Sequence, residues 1–195
     1  MNGVTGSFSY KIFLLNIVCL ICTSHYLHAQ QNVFTSKNGN ITFLSEAPLE
    51  IISASSNALE GIIDPEELSF AFIVPIHSFK GFNNGLQQQH FYENYLETSK
   101  YPDASFSGKF IEHIDLTKPG TYHVRAKGQL KIHGRIQERI IKTELISTGI
   151  EIKAKAQFFV PLVDHQIEIP KIVNQKIAQE IDVNVRATFT LREKS

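Results

Sequence analysis

The feature that most constrains this chain is an unbroken alternation from Tyr122 to His133, followed by one glycine and a second β-prone run from Arg135 to Leu145. Tyr122, Val124, Ala126, Gly128, Leu130 and Ile132 share one face of an extended strand, and His123, Arg125, Lys127, Gln129 and Lys131 share the other. Side chains on a strand alternate with period two, so this strand has one dry face and one wet face. Gly134 stands where the chain must reverse, and glycine takes positive φ without steric cost, so the two runs are expected to pair as a hairpin. Twelve residues of alternation exceed the usual strand of about five or six. Long one-sided antiparallel strands require a sandwich or a closed barrel, because an open sheet leaves its dry face in water.

Other segments repeat the pattern. Asn40–Ser45 carries Ile41 and Phe43 on one side, and a second extended stretch runs from Leu49 to Ile63, bent near 53–57. Ile63-Asp64-Pro65-Glu66 is a turn, since proline presets φ and cannot continue a ladder. Leu68–Ile76 aligns Phe70 with Phe72, and Pro75 marks a strand end. Ala104–Ile114 aligns Phe106, Gly108 and Phe110. From Gly149, an inner face forms from Ile150, Ile152, Ala154, Ala156, Phe158 and Val160. The final strand, Ile177–Leu191, presents Ile181, Val183, Val185, Ala187, Phe189 and Leu191. Between Phe79 and Pro102 the alternation stops. Asn83-Asn84-Gly85 signals a turn, Leu86, Phe91 and Tyr95 form an imperfect helical stripe, and the helix must end before Pro102. The expected fold is all-β: a closed eight-stranded antiparallel barrel with a short capping helix. Gly108, Ala126, Gly128, Ala154, Ala156 and Ala187 on the inner faces either leave an open lumen or fit a tapering solid core.

Residues 1–29 read as a secretory signal peptide, with Lys11 before the apolar run Ile12–Cys22 and a small residue, Ala29, at the end. The run is too short to span a bilayer, which takes about 20 apolar residues. Val18 and Ile21, which precede Cys19 and Cys22, are too bulky for a lipidation signal. The domain is therefore expected to span residues 30–195, in the periplasm or secreted, with no integral membrane segment. Both cysteines of the chain fall in the leader, so the barrel is held by its own core without disulfides. Loss of Lys11 leaves 18 basic against 19 acidic residues, which gives no electrostatic case for nucleic acid.

The residues offer little catalytic chemistry. His77, His90, His113, His123, His133 and His165 follow the leader, none in a metal-binding spacing. His123 is on a wet face, and His133 is placed to hydrogen-bond turn backbone. His90, on the capping helix, is the better functional candidate. No phosphate loop or nucleophile elbow is present. No catalytic residue, metal or cofactor is expected.

Three motifs carry a resemblance. Tyr101-Pro-Asp-Ala-Ser-Phe106, Gly128-Gln-Leu-Lys-Ile-His-Gly134 and Asp164-His-Gln-Ile-Glu-Ile-Pro170, with His90-Phe91 upstream of the first, resemble the YceI-like family across residues 40–191. The resemblance implies a lipocalin-like barrel that binds a polyisoprenoid or other long-chain lipid and catalyses nothing. The lining it implies is Phe70, Phe72, Phe106, Phe110, Tyr122, Val124, Ala126, Leu130, Ile152, Ala154, Phe158, Val185 and Phe189. His90, Phe91, Tyr92 and Tyr95 would form a mouth or lid. His165 stands where many members carry an aromatic, which puts a ligand contact there in doubt. The alternative is an envelope interaction or stress protein with a solid barrel. The pattern leaves a homodimer open.

Overall fold

A computed structural model describes residues 32–193, so the expected leader lies outside the described residues. The strands are β1 (Asn32–Glu46), β2 (Ile51–Asp64), β3 (Ser69–Pro75), β4 (Asp103–Phe110), β5 (Gly120–Ile132), β6 (Arg135–Ser147), β7 (Glu151–Pro161) and β8 (Glu180–Glu193). Each pairs antiparallel with its chain neighbours, and β8 pairs with β1 to close the barrel. Closure removes the sheet edges that an open arrangement would expose. The connection from β3 to β4 holds α1 (Gly85–His90), which continues into one π-helical turn, Phe91–Tyr95. The sequence reading of an eight-stranded barrel with a short helix therefore holds.

The β5–β6 hairpin pairs thirteen residues, from Gly120↔Ser147 to Ile132↔Arg135. His133 and Gly134 have φ of 50° and 70°, the two positive values that a type I′ turn requires. Gly134 is fixed by space as well, because a Cβ there would fall 2.4 Å from the Tyr101 ring.

Some boundaries differ from the sequence reading. β1 begins at Asn32, ahead of Asn40, because the register shifts on both sides of Gly39 and a bulge breaks the period-two signal. β4 stops at Phe110 instead of Ile114; the loop beyond it buries Leu116 completely. Ile150, expected inside, sits in the β7 approach and is 70% exposed.

The barrel has two unlike ends. At one, the loop carrying Leu116 lies with the β2–β3 and β6–β7 turns over a core of Phe34, Ile63, Leu145, Ile152 and Phe189. At the other lie α1, the His133–Gly134 turn and the long β7–β8 connection. The wall is thin between β6 and β7. β7 pairs with β6 only from Ile152↔Ser147 to Ala156↔Thr143, so residues 135–142 and 157–161 run on without partners in each other.

Candidate functional site

The inner faces enclose a cavity of about 380 Å³ that begins beneath α1 and runs toward the closed end. Nine of the expected lining residues border it: Phe70, Phe72, Phe106, Phe110, Ala126, Leu130, Ala154, Phe158 and Val185. Tyr122, Val124, Ile152 and Phe189 do not. They belong to the solid core at the closed end, where the Tyr122 hydroxyl donates to the Asp115 carbonyl at 2.8 Å. Strand alternation identifies the inward face but carries no depth, so it cannot tell a floor from a wall.

A second correction concerns the inward glycines. Gly108 and Gly128 face each other across β4 and β5. A Cβ on Gly108 would lie 2.0 Å from the Lys127 carbonyl oxygen, and one on Gly128 would lie 2.3 Å from that of Ser107. These glycines let two backbones approach; they do not leave room for a ligand.

At the open end, His90, Phe91 and Tyr95 border the cavity. Burial pushes the Tyr95 phenol pKa above its ordinary value. Tyr92 is turned away from the cavity, and its hydroxyl donates to the Phe79 carbonyl at 2.6 Å. Phe43, Phe79, Phe82 and Phe91 form a cluster at the mouth, with Phe43 and Phe91 stacked at 5.2 Å. Phe79 and Phe82 lie in irregular backbone, where no periodicity marks them. Two of the three glutamines of α1 act as latches. Gln87 donates to Glu50, and Gln88 donates to the Tyr92 hydroxyl at 2.9 Å. Asn84 caps the helix by accepting from Gln87 N at 2.9 Å, and Asn83 donates to the Ile51 carbonyl at 2.9 Å.

The three sequence motifs meet at this end. The Tyr101 ring stands edge-on to the His133 ring at 4.8 Å. His133 contacts Glu97 Oε2 through Nε2 at 2.8 Å and the His165 carbonyl through Nδ1 at 3.1 Å. Hydrogen bonds from Lys100 and then His133 hold the Glu97 carboxyl below its ordinary pKa. His165 is fully buried, with Nδ1 3.3 Å from the Arg135 carbonyl. Desolvation lowers its pKa, outweighing the carbonyls of Arg135 and Ile132. None of Tyr101, His133 and His165 borders the cavity. These three residues form a clasp at the mouth, while Phe106, Leu130 and Ile167 of the same motifs border the cavity.

No group of three or more His, Cys, Asp or Glu side chains among the described residues is arranged to hold a metal. No helix among them is long and apolar enough to cross a membrane. The arrangement can enclose a slender apolar molecule. Burial in such a lumen is worth about 0.8 kcal/mol per CH₂, without a strong polar contact.

Comparison with known proteins agrees with this geometry. The model of the YceI-like domain matches residues 23–189, starting inside the expected leader. No curated protein matches the sequence. A polyisoprenoid binding domain from Saccharophagus degradans, implicated in plant cell wall breakdown, superposes with a TM-score of 0.71 at 12% identity, over 84% of this chain and 99% of its own. BcnA of Burkholderia cenocepacia superposes with a TM-score of 0.62 at 13% identity, over 77% of this chain and 95% of its own. At these identities the likeness is one of fold.

Proposed function

The chain belongs to the YceI-like family, and from that premise we propose that it binds a long-chain apolar lipid, a polyisoprenoid or a fatty amphiphile, for carriage or storage in the periplasm, and catalyses no reaction. The observation that carries this reading is the apolar cavity of about 380 Å³, floored at one end and roofed at the other by Phe91 and Tyr95. A cavity lined by Phe, Leu, Val and Ala side chains excludes water and rewards hydrocarbon. The polyisoprenoid-binding description of the Saccharophagus degradans neighbour supports the same ligand class. Residues 1–29 act in this reading as a leader that delivers the barrel beyond the inner membrane, and the apolar lumen then shields a chain that water rejects.

The test is organic extraction of protein purified from its own envelope fraction, followed by mass spectrometry. One co-purifying long-chain species, at a fixed molar ratio and displaced by added prenyl alcohol, is the expected result. A clean extract, with no binding of prenyl alcohols or fatty acids, would reject the carrier and favour an interaction protein that uses its outer face.

A further inference from the structure

The break in the wall between β6 and β7 opens onto charge. Outside the last paired residues, Thr143 and Ala156, lies a groove of about 610 Å³. Thr143, Lys155, Ala156 and Val185 border both this groove and the interior cavity, so at the end of the paired stretch only the thickness of the sheet separates the two spaces. The groove is basic. It presents His123, Arg125, Lys142, Lys155 and Arg186 against two acids, Glu112 and Glu144. Glu112 is taken by Arg125 at 2.7 Å and Glu144 by Lys155 at 3.2 Å. Lys142 and Arg186 make no ion pair among the described residues. The next acid along β8, Asp182, accepts from Gln157 at 2.8 Å.

Toward the open end, the seam is spanned by side chains where backbone pairing is missing. Arg139 lies on the inward face of β6, opposite Gly128. It reaches across to donate to the Phe159 carbonyl at 2.8 Å and approaches Asp164 at 3.5 Å. Ile140 and Phe159, on the two lips, are 56% and 53% exposed. A half-exposed stretch of the inward face therefore holds a long cation used as a stitch, flanked outside by apolar side chains.

We propose that this seam is a lateral opening of the tunnel, and that the groove outside it holds the anionic head group of an amphiphile whose chain lies inside. The inference rests on the lipid-binding reading above and specifies its ligand: a chain ending in a phosphate or carboxylate, not a neutral lipid. Lys142 and Arg186 supply the charge, while the apolar lips let hydrocarbon pass beside the Arg139 stitch.

The test compares geranylgeranyl phosphate, geranylgeranoic acid and geranylgeraniol on the full domain at low salt, by displacement of a fluorescent fatty acid. Both anions are expected to bind about tenfold more tightly than the alcohol, with the advantage fading as salt rises. The variant K142Q/R186Q is expected to lose that advantage and keep its affinity for the alcohol. R139Q is expected to release bound ligand several-fold faster with head-group preference intact. The inference is overturned if anions and alcohol bind alike, if K142Q/R186Q keeps the preference, or if release from R139Q is unchanged. Displacement by inorganic phosphate alone at comparable concentration would also overturn it, since that describes a free-anion site. An advantage shown by the phosphate and not by the acid narrows the head group to phosphate and supports the site. If none of the three lipids binds, the lipid reading itself fails, which is distinct from binding without head-group preference.

Discussion

His165 shows how one residue can lie in a family motif and yet serve the scaffold. It is fully buried, Nδ1 faces the Arg135 carbonyl, and Nε2 has no hydrogen-bond partner among the described residues. Its pKa is lowered by burial, which fixes the sign of its contribution. Below about 6.5 the unfolded chain takes up a proton that the folded protein refuses. Stability therefore falls as pH drops through 6.5, until the folded-state pKa is reached. The carboxyls with lowered pKa values, Glu97, Glu112 and Asp115, lose their contributions at lower pH, once they begin to protonate. Urea unfolding between pH 7.5 and 5 should show a decline that His165→Phe reduces, because phenylalanine fills the site without titrating. An identical decline in the variant would assign the pH dependence to other groups. Ala154 gives a second test at this scale. It is buried and borders the cavity. In a lumen, Ala154→Phe should weaken lipid binding at least tenfold with little change in Tm. In a solid core the same overpacking costs about 1–3 kcal/mol, and a large fall in Tm would show that no lumen is present at that depth.

At the scale of elements, α1 and its π-helical turn sit over the mouth as a latched roof. The polar latches are Gln87 to Glu50, Gln88 and Tyr92 to the Phe79 carbonyl and Asn83 to the Ile51 carbonyl, and Phe91 adds its stack on Phe43. No residue of α1 itself is buried. An element held this way opens at lower free energy than the paired strands. Hydrogen exchange should show amides of residues 85–95 less protected than those of β5 without ligand, and gaining protection when a prenyl alcohol is added. Equal protection in both states would make the segment a fixed plug and leave the seam as the way in. The same elements show how far the sequence could be read. Strand alternation announced the barrel and its inward faces, because inward orientation is a local property of the chain, whereas the lining came only from the family resemblance. Depth along the barrel is not local, so Tyr122, Val124, Ile152 and Phe189 could not be told from the lining. Arg139 was missed for a related reason. A charged residue on an inward face makes sense only once β6 and β7 are seen to part company, and that depends on register between two strands.

For the whole molecule, the lipid-binding proposal predicts that the plugged end sets how long a chain the barrel accepts. The floor is a side-chain floor. Phe189 is completely buried, and its ring meets that of Phe72 edge-on at 5.6 Å, while Phe72 itself borders the cavity. Truncating Phe189 should therefore join new space to the existing tunnel instead of leaving an isolated void. Phe189→Ala is expected to destabilise the ligand-free protein by about 3–5 kcal/mol, the usual cost of removing a buried phenylalanine. A ligand long enough to fill the added space should restore part of that loss, since binding at about 100 times Kd stabilises by ~2.7 kcal/mol. Thermal unfolding across prenyl alcohols of increasing length separates the effects. In the parent, stabilisation should rise with chain length and then level off where the chain reaches Phe189. In the variant the plateau should move to a longer chain, although the ligand-free Tm is lower. A lower Tm with the plateau unmoved would place the end of the tunnel above Phe189 and leave that residue a purely structural part of the floor.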